Sequence, residues 1–123
     1  MNVSRHRARN FGLRAETIAA LWLRLKFYRI IARNYSGAGG EIDIIARRGD
    51  VIAFVEVKAR ARIELAQVAI DQRKVRRLLQ AMRHWIVRNP WAVRCVLRGD
   101  AIFLAPARKP LHVENAFSLD VFL

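Results

Sequence analysis

Cysteine occurs once in the 123 residues, at Cys95, so no internal disulfide can form. Set in residues 93–97, which are apolar but for Arg94, that thiol reads as a small core side chain rather than a reactive group. Long hydrophobic runs are missing too. The best candidate, residues 18–31, is broken by Arg24, Lys26 and Arg29, and residues 1–10 hold no apolar core of secretory length. Neither a bilayer span nor a secretory leader is expected, which points to a cytoplasmic protein with no membrane partner. Histidine is limited to His6, His84 and His112, which are isolated and form no local metal motif. Acid is the most telling shortage. Ten Asp and Glu stand against 23 Lys and Arg, a formal charge of +13. That excess is more than solubility needs and attracts polyanions, nucleic acid above all. Glycine clusters at residues 37–40 and is absent between Gly49 and Gly99. The cluster is no phosphate-binding P-loop, because Glu41 stands where a Lys-Ser or Lys-Thr ending is required.

With 54% hydrophobic residues the chain can bury a core, and its length suits one domain. Residues 1–10, with Arg5, His6, Arg7 and Arg9, are expected to form a flexible basic arm ahead of a single domain at 11–123.

Residues 42–46 and 51–57 are short β-branched runs on either side of Arg48-Gly49-Asp50, the pattern of two strands joined by a tight turn. Asp43 interrupts the first, and Glu56 with Lys58 closes the second. A buried carboxylate is costly unless it is paired or holds a cation, so these residues need a reason to be there. Side chains alternate along a strand, so Glu56 and Lys58 share a face with Ile52 and Phe54, the two charges lying roughly 6.6 Å apart along the chain. A register that places Asp43 beside Glu56 sets two carboxylates about 4 Å apart, repelling by on the order of 4 kcal/mol at an effective dielectric of about 20. A shared proton or a bound cation relieves that repulsion, and with oxygen donors alone the cation would be Mg2+ or Mn2+. Glu41, two residues before Asp43, is the alternative ligand. A purely structural cluster, with Glu56 neutralised by Lys58 or Arg60, explains one acid and leaves Glu41 and Asp43 in need of further cations.

Asp43 followed by Glu56-Val57-Lys58 resembles the Asp and Glu-X-Lys motif of the PD-(D/E)XK nuclease superfamily. The longer strings Gly40-Glu41-Ile42-Asp43 and Phe54-Val55-Glu56-Val57-Lys58-Ala59-Arg60, with Glu16 upstream, Arg33-Asn34, Lys74, Asp100 and residues 113–117, resemble the YraN family of small bacterial proteins. That family is related in fold to Holliday-junction resolvases. The resemblance implies a restriction-endonuclease-like α/β sandwich with a central mixed β-sheet flanked by helices. It also implies a metal site built from Asp43, Glu56 and the backbone carbonyl of Val57. Lys58 would orient a water or neutralise the phosphate, and Glu16 would reach the active centre from its helix. Arg60 matches the family's pattern and suits a phosphate contact.

The rest of the chain is read by periodicity. Residues 13–26 place Ile18, Leu21, Trp22 and Leu25 on one helical stripe, with Glu16 off it alongside Ala20 and Leu23. Periodicity alone makes Glu16 a surface residue. Residues 28–34 read as a strand, 35–40 as a loop, and 59–70 as an Ala-rich segment tending to helix. Residues 71–89 form the strongest helix, capped by Asp71 and stopped by Pro90, with the stripe Val75, Leu78, Leu79, Met82, Trp85 and Ile86. Its outer face carries Arg73, Lys74, Arg76, Arg77, Arg83 and Arg88 and no acid, which favours a phosphate-tracking surface over a merely solvated one. Arg33, Arg60, Arg73, Lys74 and Arg77 are the nucleic-acid-binding candidates. A strand at 94–104 is expected to bulge at Gly99-Asp100, and 111–117 forms an edge strand or closing segment. The apolar tail 117–123 packs on the domain or meets a second copy, making a homodimer. Two functions compete: a Mg2+- or Mn2+-dependent endonuclease acting on DNA, selective for branched or junction substrates, and a nucleic-acid-binding module of the same fold without turnover.

Overall fold

Two β-branched runs and the glycine between them set the centre of the molecule. In a computed structural model, which describes residues 3–67 and 69–119 with side chains from Arg14 onward, β2 (Gly40–Arg48) and β3 (Val51–Ala59) form the expected hairpin. Gly49 takes the positive φ of 62° that the tight turn demands. Around them lie α1 (Val3–Leu25), β1 (Arg29–Gly37), α2 (Ile63–Gln67), α3 (Gln72–Arg88), a 3-10 turn at Pro90–Arg94, β4 (Val96–Leu104) and β5 (Leu111–Phe117). The five strands form one mixed sheet in the order β1-β2-β3-β4-β5. All neighbours are antiparallel except β3 and β4, which run parallel and are joined by the α2–α3 crossover. Helix α1 covers one face, burying Ile44, Ala46, Ala53, Val55 and Ile102. Helix α3 covers the other, burying Ile42, Ile45, Ile52 and Phe54. The result is the expected α/β sandwich with a central mixed sheet.

Helix α3 behaves as its sequence says. The Asp71 side chain accepts the Lys74 N–H, Asn89 closes the helix before Pro90, and the apolar stripe is buried except for half-buried Val75. Gly40 allows β2 to approach α3 closely, because a Cβ there would strike the Arg77 carbonyl and the Ala81 amide.

Helix α1 reverses its expected orientation. Its packed face is Ala15, Glu16, Ala19, Ala20 and Leu23, whereas Ile18 and Leu21 are about half exposed and Leu25 is 72% exposed. The three alanines bring the helix close to the sheet, and the larger stripe does not fit in that space. Glu16 is therefore a buried residue, only 7% exposed. The segment 35–40 is likewise no loop: β1 extends to Gly37, and Ala38 and Gly39, both at positive φ, make a tight turn into β2. Strand β4 is continuous, with its start moved to Val96 by the 3-10 turn. The expected irregularity at Gly99 is a register shift against β5 between Gly99 and Ala101. There the Phe117 ring occupies the space a side chain at Gly99 would need. In the Ala-rich stretch α2 is a single short helix.

The side chains of the basic arm at residues 1–10 lie outside the described residues, as does the end of the tail at 120–123. Leu119 packs on the α3-side core. Among the described residues no helix is long and apolar enough to cross a membrane.

Candidate active site

The site forms where β2 and β3 part. Their pairing runs from Arg48↔Val51 to Ile44↔Val55 and stops there, one step short of setting Asp43 opposite Glu56. Side-chain alternation in β2 fails at the same place. Ile44 and Ala46 face α1, but Ile42 and Ile45 both face α3, so the strand turns about its axis at Asp43. The carboxylate drops into the gap between the strands, where its Oδ2 accepts the Val57 N–H at 2.8 Å. A side chain thus replaces the missing backbone partner. In an extended strand the N–H and C=O of one residue leave by the same edge, so the Val57 carbonyl also points towards this gap.

Glu56 and Lys58 occupy the α3 face of β3, as i, i+2 spacing requires. Lys58 Nζ lies 2.9 Å from Glu56 Oε1, with both side chains 12% exposed. The position of Asp43 between the faces puts it within electrostatic reach of acids on both. Burial raises its pKa from 3.8 to about 7, the Glu56 charge adds to the rise, the Val57 N–H opposes it, Glu16 raises it further and Lys58 lowers it. At neutral pH the Asp43 carboxyl is poised between its two protonation states. The rise comes first from lost solvation and then from the neighbouring Glu56 charge.

Glu16 reaches this region from α1. Its Oε1 pairs with Arg33 Nε at 3.3 Å, and Arg33 Nη2 donates to Thr17 Oγ1 at 3.0 Å. Burial raises the Glu16 pKa, and the hydrogen bond and charge of Arg33 hold it back. Lys74, from the first turn of α3, lies against Lys58. The Lys74 pKa is lowered, first by its hydrogen bond with Lys58 and then by the Lys58 charge. That of Lys58 is raised: burial works against the rise, but Lys74, Glu56 and Asp43 together outweigh it. Lys74 thus places a second amine beside the Lys58 ammonium, which its position on a basic helix face did not disclose.

Four candidates lie elsewhere. Glu41 is exposed and pairs loosely with Arg77 at 3.8 Å, turned away from Asp43 by the twist of β2. Arg60 is exposed beyond the end of β3 and turns back to the Ala59 carbonyl. Arg73 and Arg77 are exposed on the outer face of α3. Among the described residues no group of three or more His, Cys, Asp or Glu is arranged to hold a metal by itself. The oxygen donors on offer are two carboxylates, Asp43 and Glu56, and the Val57 carbonyl. This hard, anionic set suits Mg2+ or Mn2+ completed by water.

One constellation escaped the sequence reading. Asp100, on β4, is 0% exposed. It accepts two hydrogen bonds from Arg98 and one from His112 Nε2, each at 2.8 Å, and one from the Asn115 N–H at 3.1 Å. Lys26 Nζ meets His112 Nδ1 at 2.6 Å, and Arg98 also donates to the Tyr28 hydroxyl. Asp100 belongs to the family resemblance, but its partners do not; the Arg98-x-Asp100 spacing, the same as that of Glu56 and Lys58, is the one local signal of the network. His112 therefore has a structural role.

The profile of the uncharacterised protein family UPF0102 matches residues 15–104, the span from the packed face of α1 to the end of β4. A UPF0102 protein of Methylorubrum extorquens is 54% identical over 109 residues, 89% of this chain and 85% of the relative. One of Rhodopseudomonas palustris is 48% identical over 106 residues, covering 86% and 81%. One of a Chelativorans species is 46% identical over 116 residues, 94% of each chain.

Proposed function

The chain belongs to the UPF0102 family, and on that footing we propose that it is a metal-dependent endonuclease of the PD-(D/E)XK type, hydrolysing phosphodiester bonds in DNA. A resolvase-like preference for branched or junction DNA and a cytoplasmic setting complete the reading. One observation carries it: a half-buried Asp43 carboxyl, raised in pKa by burial and by the Glu56 charge, held on the Val57 N–H beside the Glu56–Lys58 ion pair. A carboxyl raised by its surroundings beside an ion pair is the arrangement expected of a functional site.

Asp43, Glu56 and the Val57 carbonyl would hold Mg2+ or Mn2+, which when bound supplies an activated water and neutralises charge on the phosphate. The Val57 N–H fixes one Asp43 oxygen and leaves the other to coordinate. Glu56 holds Lys58 in place, so that its ammonium can face a phosphoryl oxygen and stabilise the charge that grows there. The Lys74 amine, hydrogen-bonded to Lys58, helps keep that ammonium charged and in place. The outer face of α3, with Arg73 and Arg77, suits tracking of the neighbouring phosphates.

The test is cleavage of linear, nicked, flap and four-way DNA with Mg2+ or Mn2+. Asp43→Ala and Lys58→Ala are expected to abolish cleavage while DNA binding persists. Unchanged cleavage in both variants overturns the reading. A second reading, a binding module without turnover, is favoured by the acid-free row of arginines on α3, which needs no chemistry to hold DNA. Calorimetric titration with Mn2+ separates the two, since a saturable site lost in Asp43→Asn supports the enzyme.

A further inference from the structure

We propose that the cleft between α2 and the β4–β5 turn is a nucleotide pocket that seats one phosphate-bearing nucleotide of the strand lying over the acid site. The inference rests on the nuclease reading for the path of that strand. Strands β3 and β4 are the sheet's parallel pair, ending together at Ala59↔Leu104. The Arg60 N–H donates to the Leu104 carbonyl at 3.1 Å, and the two chains then separate. The crevice beyond the carboxyl ends of parallel strands is where α/β sheets take ligands. Here it is a cleft of about 490 Å³, within the range of small-molecule sites.

Its lining has the chemistry of a nucleotide. Arg62 enters from the α2 side and Arg108 from the β4–β5 turn. Both are exposed, and neither guanidinium forms a salt bridge among the described residues. Two such forks facing one cleft match the oxygens of a phosphate. Ile63, Ala105 and Pro106 give apolar surface for a base. Glu64 adds an acceptor suited to an exocyclic amino group such as the cytosine N4, which disfavours a bare polyanion. The pocket opens three residues beyond Lys58, roughly 10 Å along the chain, or about three nucleotides of axial rise from the phosphate to be cut.

The experiment titrates the ¹⁵N-labelled full chain with deoxycytidine 5′-monophosphate, and separately with inorganic phosphate, in EDTA. The nucleotide is expected to shift the amides of residues 61–64 and 105–108 saturably, at least tenfold more tightly than inorganic phosphate. Arg62→Ala and Arg108→Ala should each weaken it tenfold or more while the remaining amides keep their positions, and Asp43→Asn should bind as the parent does. Shifts confined to α3, equal affinity for phosphate and nucleotide, or unaltered binding in Arg108→Ala each overturn the pocket. Because no metal is present, saturable nucleotide binding without any DNA cleavage removes the nuclease reading and keeps the pocket, whereas cleavage without nucleotide binding does the reverse.

Discussion

Adjacent strands carry the same device with opposite outcomes. On β3 an acid and a cation stand two apart as Glu56 and Lys58, and on β4 as Arg98 and Asp100. Around Asp100 every neighbour helps. Burial works to raise its pKa, but His112, Arg98 and the Asn115 N–H more than offset it, and the pKa falls below 3.8. Around Asp43 burial works the same way, yet the charge that acts on it most strongly is another carboxylate, and the pKa climbs to about 7. The first acid is surrounded by donors from β4 and β5. The second has one backbone N–H and shares one ammonium. Stability asks for the first arrangement, and readiness to take up a cation asks for the second.

The two acids should therefore respond oppositely to removal. Asp100→Ala strands Arg98 and His112 in the interior and is expected to cost about 3–5 kcal/mol, read by urea denaturation at pH 7. An unchanged midpoint would dissolve the contrast. Asp43→Asn should stabilise the metal-free protein at pH 8, with a ceiling of about 4 kcal/mol from the distance between 3.8 and about 7. The sign follows from the raised pKa: the stability linked to the Asp43 proton is complete below 3.8 and is lost as pH rises through about 7. The gain should accordingly vanish near pH 4, which paired denaturation curves of parent and variant would reveal. Asp100, with a lowered pKa, contributes stability that is present above 3.8 and lost in acid, so its variant should lose its disadvantage as pH falls. Lys58→Met removes the ion pair of Glu56 and should cost about 2 kcal/mol, while pushing the Asp43 titration above 7 in an NMR-detected pH series. Glu16→Gln is the intermediate case. Arg33 already compensates part of the burial penalty, so thermal unfolding at pH 7 should show a change within about 1 kcal/mol.

Much of this architecture could be read in advance. The β2–β3 hairpin followed from β-branched runs around Gly49, α3 from a capping Asp71 and a stopping Pro90, and the shared face of Glu56 and Lys58 from strand alternation. These are local signals, each satisfied within a few residues. Helix α1 misled because it offers two stripes. Hydrophobicity favours Ile18, Leu21, Trp22 and Leu25, but close approach to the sheet favours Ala15, Ala19 and Ala20, and the second requirement wins. That choice buries Glu16, which the family resemblance placed at the centre and periodicity placed at the surface. The partners of Asp100 were illegible for another reason. Lys26, Tyr28 and His112 are remote in sequence and meet only once α1 and β5 lie on β4. The separation of Glu41 from Asp43 depends on a twist that no two-residue period contains.

The Val57 amide has a property that follows from its unusual acceptor. Most amides in the sheet are locked to a neighbouring carbonyl whose charge never changes. This one is held by a group that gains and loses a proton near neutrality. Its hydrogen exchange should slow as Asp43 ionises and quicken as the carboxyl is protonated, so a single backbone proton serves as a built-in gauge of the charge at that carboxylate.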